Sequence, residues 1–133
     1  MDVRSVHHVA FAVSDLDEAV GTYQRLFGAE VELRGRIDDQ GVEAAYLRVG
    51  SGRVELMSAL AEDSPVGRFI ARRGPGMHHV AYEVPDVAAA VGELAAAGVD
   101  VIDLEPRTGL DGQAVSFVHP DSVHGVLVEV IGG

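Results

Sequence analysis

A fifteen-residue stretch occurs twice in this 133-residue chain, and it limits the possible folds more than any other feature. The first copy is His7-His8-Val9-Ala10-Phe11-Ala12-Val13-Ser14-Asp15-Leu16-Asp17-Glu18-Ala19-Val20-Gly21. The second is His78-His79-Val80-Ala81-Tyr82-Glu83-Val84-Pro85-Asp86-Val87-Ala88-Ala89-Ala90-Val91-Gly92. Nine of the fifteen aligned positions are identical at a fixed offset of 71, so a short module has been duplicated. The offset is close to half the chain. It predicts one pseudo-symmetric body with a cleft at the junction, where equivalent residues of the two copies converge.

Each copy opens as a strand. In the first, Val9, Phe11 and Val13 alternate with His8, Ala10 and Ala12, which puts a bulky row on one face and a small row on the other. Asp15 is placed to cap a helix carrying Leu16, Ala19, Val20, Tyr23, Leu26 and Phe27 at helical spacing, and Gly28 to end it. That helix should cover the Val9/Phe11/Val13 face and leave the His8 face lining something roomier, with Tyr23, Phe27 and Tyr82 in the core. Strands are expected at 31–36, 42–49 and 53–60, separated by turn residues at Asp38-Asp39-Gln40-Gly41 and Gly50-Ser51-Gly52. Module 1 therefore spans about 4–61 with the order βαβββ. A linker at about 62–75 holds a short helix begun by Ser64-Pro65 and ended by Gly74-Pro75-Gly76. Module 2, about 76–132, repeats the order. It has a strand at 77–84 and a helix capped by Asp86, buried through Val87, Ala90, Val91 and Leu94 and closed by Gly98. Strands follow at 99–104, 114–118 and 126–131. The whole, residues 1–133, reads as one α+β domain.

Composition removes several classes of function. A net charge of −11 with only ten scattered basic residues is unsuited to a nucleic-acid surface and weakens a membrane-surface reading. Glu93 interrupts the longest apolar run, and residues 1–13 lack a signal peptide's features, so a cytoplasmic protein is expected. With no cysteine there is neither a disulfide nor a thiolate, and any metal must be held by His, Asp, Glu, Gln or Asn.

The chemistry concentrates on four residues. His8 and His79 are repeat-equivalent and face away from the helices. Near the end of each module a strand carries one acid between apolar neighbours, Val54-Glu55-Leu56 and Val128-Glu129-Val130, and alternation points both acids the same way. An unpaired carboxylate buried in a sheet face costs several kcal/mol, and no basic residue is symmetrically placed to help. A divalent cation supplies the missing charge. Two imidazoles and two carboxylates form a nitrogen and oxygen site that is net neutral with such an ion, suits Co, Mn, Ni, Zn or Mg, and leaves positions open for water or substrate. Between Glu105 and Gln113, Gly109 and Gly112 offer backbone N–H groups for close approach of an anion.

The doubled His-His-Val-Ala start, the paired βαβββ modules and the His8, Glu55, His79, Glu129 order resemble the vicinal oxygen chelate superfamily of glyoxalase-like proteins. More narrowly, six segments resemble the methylmalonyl-CoA epimerases. They are Gln40-Gly41-Val42, Asp63-Ser64-Pro65-Val66, Gly76-Met77-His78-His79-Val80-Ala81, Glu105-Pro106-Arg107, Phe117-Val118-His119-Pro120 and Gly125-Val126-Leu127-Val128-Glu129. They run across nearly the whole chain. The resemblance implies an eight-stranded cup-like sheet with helices outside, a homodimer, and a divalent metal on His8, Glu55, His79 and Glu129. It implies an acyl-CoA substrate, (R)- and (S)-methylmalonyl-CoA or a close 2-substituted malonyl-CoA. Acid side chains would remove and return its α-proton through an enediolate, with Glu129 the first choice of base and Glu55 the second.

The chain departs from that pattern twice. Ala44 stands where some relatives carry a catalytic glutamate, while Glu43 beside it should face the other way; those relatives tend to carry glutamine where this chain has Glu55. Asp121 replaces a lysine common after the His-Pro pair, leaving Arg72, Arg73 and Arg107 as basic candidates for CoA phosphates. Gln40, Arg107, Gly109, Gly112 and His119 are the candidate substrate contacts, although Gln40-Gly41 reads first as a turn and His119 equally as a turn cap. His7 and His78 are expected to be structural, and His124 to lie at the surface. Other readings are a glyoxalase I-like lyase acting on a glutathione hemithioacetal, an aromatic-ring dioxygenase, and a binding protein that sequesters a cationic antibiotic. The closing segments favour the epimerase over the lyase. Four protein ligands would crowd a dioxygenase iron, and a binding protein has no need to keep them.

Overall fold

The computed structural model describes residues 1–133, which gather into two compact units, Val9–His78 and Met1–His8 with His79–Gly133. Strand β1 (Ser5–Ala12) gives its second half to the former and its first half to the latter. The unit built on Val9–His78 adds α1 (Leu16–Phe27), β2 (Glu30–Ile37), β3 (Val42–Val49), β4 (Gly52–Ala59) and α2 (Pro65–Arg73). Its strand order is β2-β3-β4-β1, with β1 parallel to β4 and the other pairs antiparallel. The second unit adds β5 (Gly76–Val84), α3 (Val87–Ala96), β6 (Arg107–Thr108), β7 (Ala114–Val118) and β8 (Leu127–Gly132). Its order is β1-β5-β8-β7-β6, with β5 parallel to β8. The expected α+β class, eight strands and doubled βαβββ order are all present, and the first strand of each module runs parallel to its last. No helix is long and apolar enough to cross a membrane.

The helices begin and cover the sheet for the reasons visible in the sequence. The Asp15 side chain accepts the Glu18 N–H at 3.0 Å, and Gly28, at φ 62°, closes α1 in the left-handed region. Leu16 and Val20 pack with Ala29, Ala45, Leu47 and Leu56, and Phe11, Val13 and Tyr23 border that cluster. Burying a side chain such as Leu47 or Leu56 stabilises the fold by about 1.5–3 kcal/mol. Phe27 and Leu26 depart from expectation, being 59% and 61% exposed. Leu26 lies well off the Leu16–Val20–Tyr23 stripe at 3.6 residues per turn. Phe27 lies on that stripe but in the last turn, where its ring rests on Tyr23 at 5.3 Å. Tyr23 and Tyr82 are half-buried.

In the second unit Asp86 caps α3 by accepting from Ala89 N–H at 3.0 Å, and Val87, Ala90 and Val91 pack with Val84, Val101 and Val130. The expected strand at 99–104 does not form. Val101 makes a single bridge to Val118, and the edge strand is instead Arg107–Thr108. Side chains displace the ladder: Asp103 accepts the Phe117 N–H with its carboxylate, and its carbonyl accepts the Ser116 hydroxyl at 2.6 Å. Pro106, with no N–H to give, precedes the strand that does form.

Two consequences can be measured. Gly132 faces Val84 across the parallel β5–β8 pair, and a Cβ there would lie 1.9 Å from the Val84 carbonyl oxygen. Gly132→Ala should therefore lower unfolding free energy by more than about 2 kcal/mol in urea titrations. His78 packs edge-on against Phe69, with ring centroids 4.9 Å apart, and burial pushes its pKa down from 6.5 to about 4. The unfolded chain then binds the proton first as pH falls. The His78 contribution is complete above about pH 6.5 and lost progressively toward pH 4. The melting temperature of His78→Phe should fall less steeply than the parent's as pH is lowered across that window.

Candidate metal and catalytic site

Three of the four singled-out residues meet in the unit that contains β5 and β8. His8 comes from β1, His79 from β5 and Glu129 from β8, and their ligand atoms all lie within 4.8 Å of one another. His8 Nε2 is 3.2 Å from His79 Nε2 and 3.5 Å from Glu129 Oε1, and His79 Nε2 is 3.9 Å from that oxygen. All three residues are buried.

Strand pairing produces this convergence. β5 and β8 run parallel, with His79 opposite Leu127 and Ala81 opposite Glu129, so Glu129 sits one side-chain repeat further along the shared face. On the same face Ala81, Val115 and Ile131 pack into a small apolar cluster. Phe117, opposite Glu129 on β7, turns its ring edge-to-face with His79 at 5.3 Å and 84°. The neighbour Val130 points the other way, into the cluster under α3. Alternation along β8 thus places one acid in a buried position beside the Phe117 strand while Val130 next to it builds core.

The donor set suits a divalent cation. Ligands at about 2.0–2.2 Å from one ion stand about 2.8–3.6 Å apart in octahedral or tetrahedral arrangements. The measured spacings of 3.2, 3.5 and 3.9 Å lie at or slightly beyond that range. Two imidazole nitrogens and a carboxylate form a borderline nitrogen and oxygen set, suited to Zn, Co, Ni or Mn, with positions left for further ligands.

Glu55 is placed on β4 in the other unit and is not a member of this three-residue group. It is 4% exposed, opposite Ala10 of β1 and Tyr46 of β3, while its neighbour Leu56 enters the core beneath α1. Ala44 lies on the same β3 face as Tyr46, opposite Met57. Glu43 faces the other way, where Arg34 donates to it at 3.2 Å.

The remaining candidates each make local contacts. Gln40 ends a single turn of 3-10 helix, with Gly41 at φ 67° after it. His119 caps a second such turn, its Nδ1 accepting the Asp121 N–H at 3.1 Å. Arg107 lies 3.8 Å from Asp103. The expectation that Gly109 and Gly112 hold N–H groups open for an anion is not met. The Gly109 N–H goes to the Gln113 carbonyl at 2.8 Å and the Gly112 N–H to the Gly109 carbonyl at 3.1 Å, because the loop closes on itself as a tight turn. His124 is exposed, at φ 68°. His7, expected to be structural, touches one of the three converging residues. Strict alternation sends it away from His8, yet it is 8% exposed and its Nδ1 lies 2.8 Å from His8 Nδ1. Nothing in the one-dimensional pattern signals that approach.

Residues 7–117 match the model of the Glyoxalase/Bleomycin resistance protein/Dioxygenase superfamily. The chain belongs to that superfamily. It is 38% identical over 127 residues to the ethylmalonyl-CoA/methylmalonyl-CoA epimerase of Cereibacter sphaeroides, covering 94% of this chain and 95% of the relative. It is 35% identical to the mitochondrial methylmalonyl-CoA epimerase of Homo sapiens, covering 94% of this chain and 72% of the relative. Among solved structures, a variant of Streptomyces coelicolor methylmalonyl-CoA epimerase in complex with 2-nitronate-propionyl-CoA superposes with a TM-score of 0.95 at 34% identity. That match covers 99% of this chain and 96% of the other.

The site's fit to a cation carries an expected outcome. Protein stripped with chelator and titrated with Co²⁺ or Zn²⁺ should take up one ion per chain. At free metal about 100-fold above Kd, its unfolding free energy should rise by about 2.7 kcal/mol. His79→Ala should lose both effects, as read by calorimetry and thermal melting.

Proposed function

We propose that this chain is a metal-dependent epimerase that interconverts (R)- and (S)-methylmalonyl-CoA, or a close 2-substituted malonyl-CoA. The observation that carries the reading is the convergence of the His8, His79 and Glu129 ligand atoms in a buried site. That convergence occurs in a chain whose relatives over nearly its whole length include epimerases of such thioesters.

The reaction asks for three things. An α-proton beside a thioester is weakly acidic, so negative charge must be stabilised on oxygen as the proton leaves. A divalent ion held by His8, His79 and Glu129 would supply that stabilisation when bound. A base must take the proton from one face, and an acid must return one to the other. Glu129 is the first base: the α C–H bond breaks, the proton moves to a carboxylate oxygen, and the electron pair delocalises into the enediolate. Glu55, in its protonated form, delivers its proton to the opposite face of that carbon, and the carboxylate left behind is the base for the reverse direction.

Two features support Glu55 in this part. It is buried on the β4 face that pairs with Ala10, and Ala10 follows His8 by two residues along β1, on the same side of the strand. Because Ala44 carries no acid and Glu43 bonds Arg34 on the other face, Glu55 is the only carboxylate which β3 and β4 present on that side.

Deuterium incorporation at the α-carbon of methylmalonyl-CoA tests the reading, using metal-free protein and protein reloaded with Co²⁺ or Mn²⁺. Exchange and interconversion of the epimers are expected only after reloading. Glu129→Gln should lower exchange by about 10²–10⁴-fold. Glu55→Gln should still exchange the α-proton of one epimer with retention while losing interconversion. Absence of exchange with every metal would overturn the epimerase, and equal exchange without metal would remove the ion from the chemistry.

A further inference from the structure

His7 and His8 meet through their Nδ1 atoms at 2.8 Å, with ring centroids 5.0 Å apart at 75°. Both rings are buried, and the other nitrogen of His8, Nε2, is one of the three converging ligand atoms. An imidazole coordinates a metal only through a nitrogen that carries no proton. For His8 to offer Nε2, its own proton must sit on Nδ1. The atom facing that proton is His7 Nδ1.

The contact at 2.8 Å holds one proton, and the two ways of placing it have opposite effects. If the proton belongs to His8, the Nε2 lone pair points at His79 and Glu129. If it belongs to His7, neutral His8 carries its proton on Nε2, aimed into the ligand group, where it blocks coordination. We infer that His7 is a positioning residue for the metal site: its neutral ring, protonated at Nε2, accepts from His8 Nδ1–H and holds His8 in the tautomer that presents Nε2. The inference rests on the reading of His8 as a metal ligand. The equivalent residue of the second copy, His78, has its ring edge against Phe69.

Substitution at residue 7 separates this role from simple packing. Asn keeps an acceptor oxygen near the place of Nδ1, whereas Phe fills the ring volume and accepts nothing. Zn²⁺ and Co²⁺ affinities measured by chelator competition should fall about 10–100-fold in His7→Phe and return to within a few-fold of the parent in His7→Asn. Nitrogen-15 imidazole spectra of the Zn²⁺-loaded parent should show a slowly exchanging proton on His8 Nδ1, with His7 protonated at Nε2 only. This measurement needs no variant to fold. Equal affinities for the parent and His7→Phe, or a proton on His7 Nδ1, would overturn the inference and leave the metal site standing. Failure of the parent itself to bind any divalent ion would instead remove the metal reading, and this inference with it.

Discussion

Everything at this site depends on keeping a carboxylate and two imidazoles in the dry interior of a sheet face. A lone buried carboxylate is costly, and Glu129, 3.5 Å from His8 Nε2 and 3.9 Å from His79 Nε2, belongs to a donor set whose charge a divalent cation would balance. The arrangement follows from strand geometry. Parallel pairing of β5 with β8 sets His79 and Glu129 one side-chain repeat apart on a common face, and the close approach of Gly132 to Val84 fixes that pairing at its far end. Core residues on the opposite face, Val84 and Val130 among them, anchor the same strands beneath α3. One alternation therefore serves stability and ligand placement together.

Duplication provided two similar starting points, and the two copies have diverged around them. Both helices keep their Asp caps, with equivalent hydrogen bonds from Asp15 and Asp86 at 3.0 Å. The histidines next to the candidate ligands differ. His7 bonds to its neighbour's ring, whereas His78 packs edge-on against Phe69 in a setting dry enough to depress its pKa to about 4. A repeated sequence thus yields two chemical environments, because each histidine meets a different set of packed elements.

Much of the fold could be read from the sequence because its signals are local. Caps at Asp15, Asp86 and Ser64, glycines at helix ends and the alternation of β1, β3, β4 and β8 correspond to the observed elements. The misses arose where partners distant in sequence intervene. Residues 99–104 have a strand's composition, but Asp103 bonds Phe117 and Ser116 with its own carboxylate and carbonyl and so interrupts a ladder. Gly109 and Gly112 have the composition of an anion-binding loop, but Gln113 closes the turn and engages the Gly109 donor. Phe27 has the right periodicity for the core, but it falls in the final turn of α1, where it meets Tyr23 edge-to-face and stays exposed.

The sequence by itself determined the repeat, the order of elements, the apolar face of the long strands and the residue types able to hold a cation. These depend on periodicity and on side-chain chemistry, both written along the chain. Only the tertiary structure decided which donors converge, since the approach of His8, His79 and Glu129 comes from the lateral order of β1, β5 and β8, and separations of tens of residues carry no distance information. The same holds for His7. Its turn toward His8 Nδ1 runs against the alternation of an ideal strand, and only the folded packing around β1 can impose it.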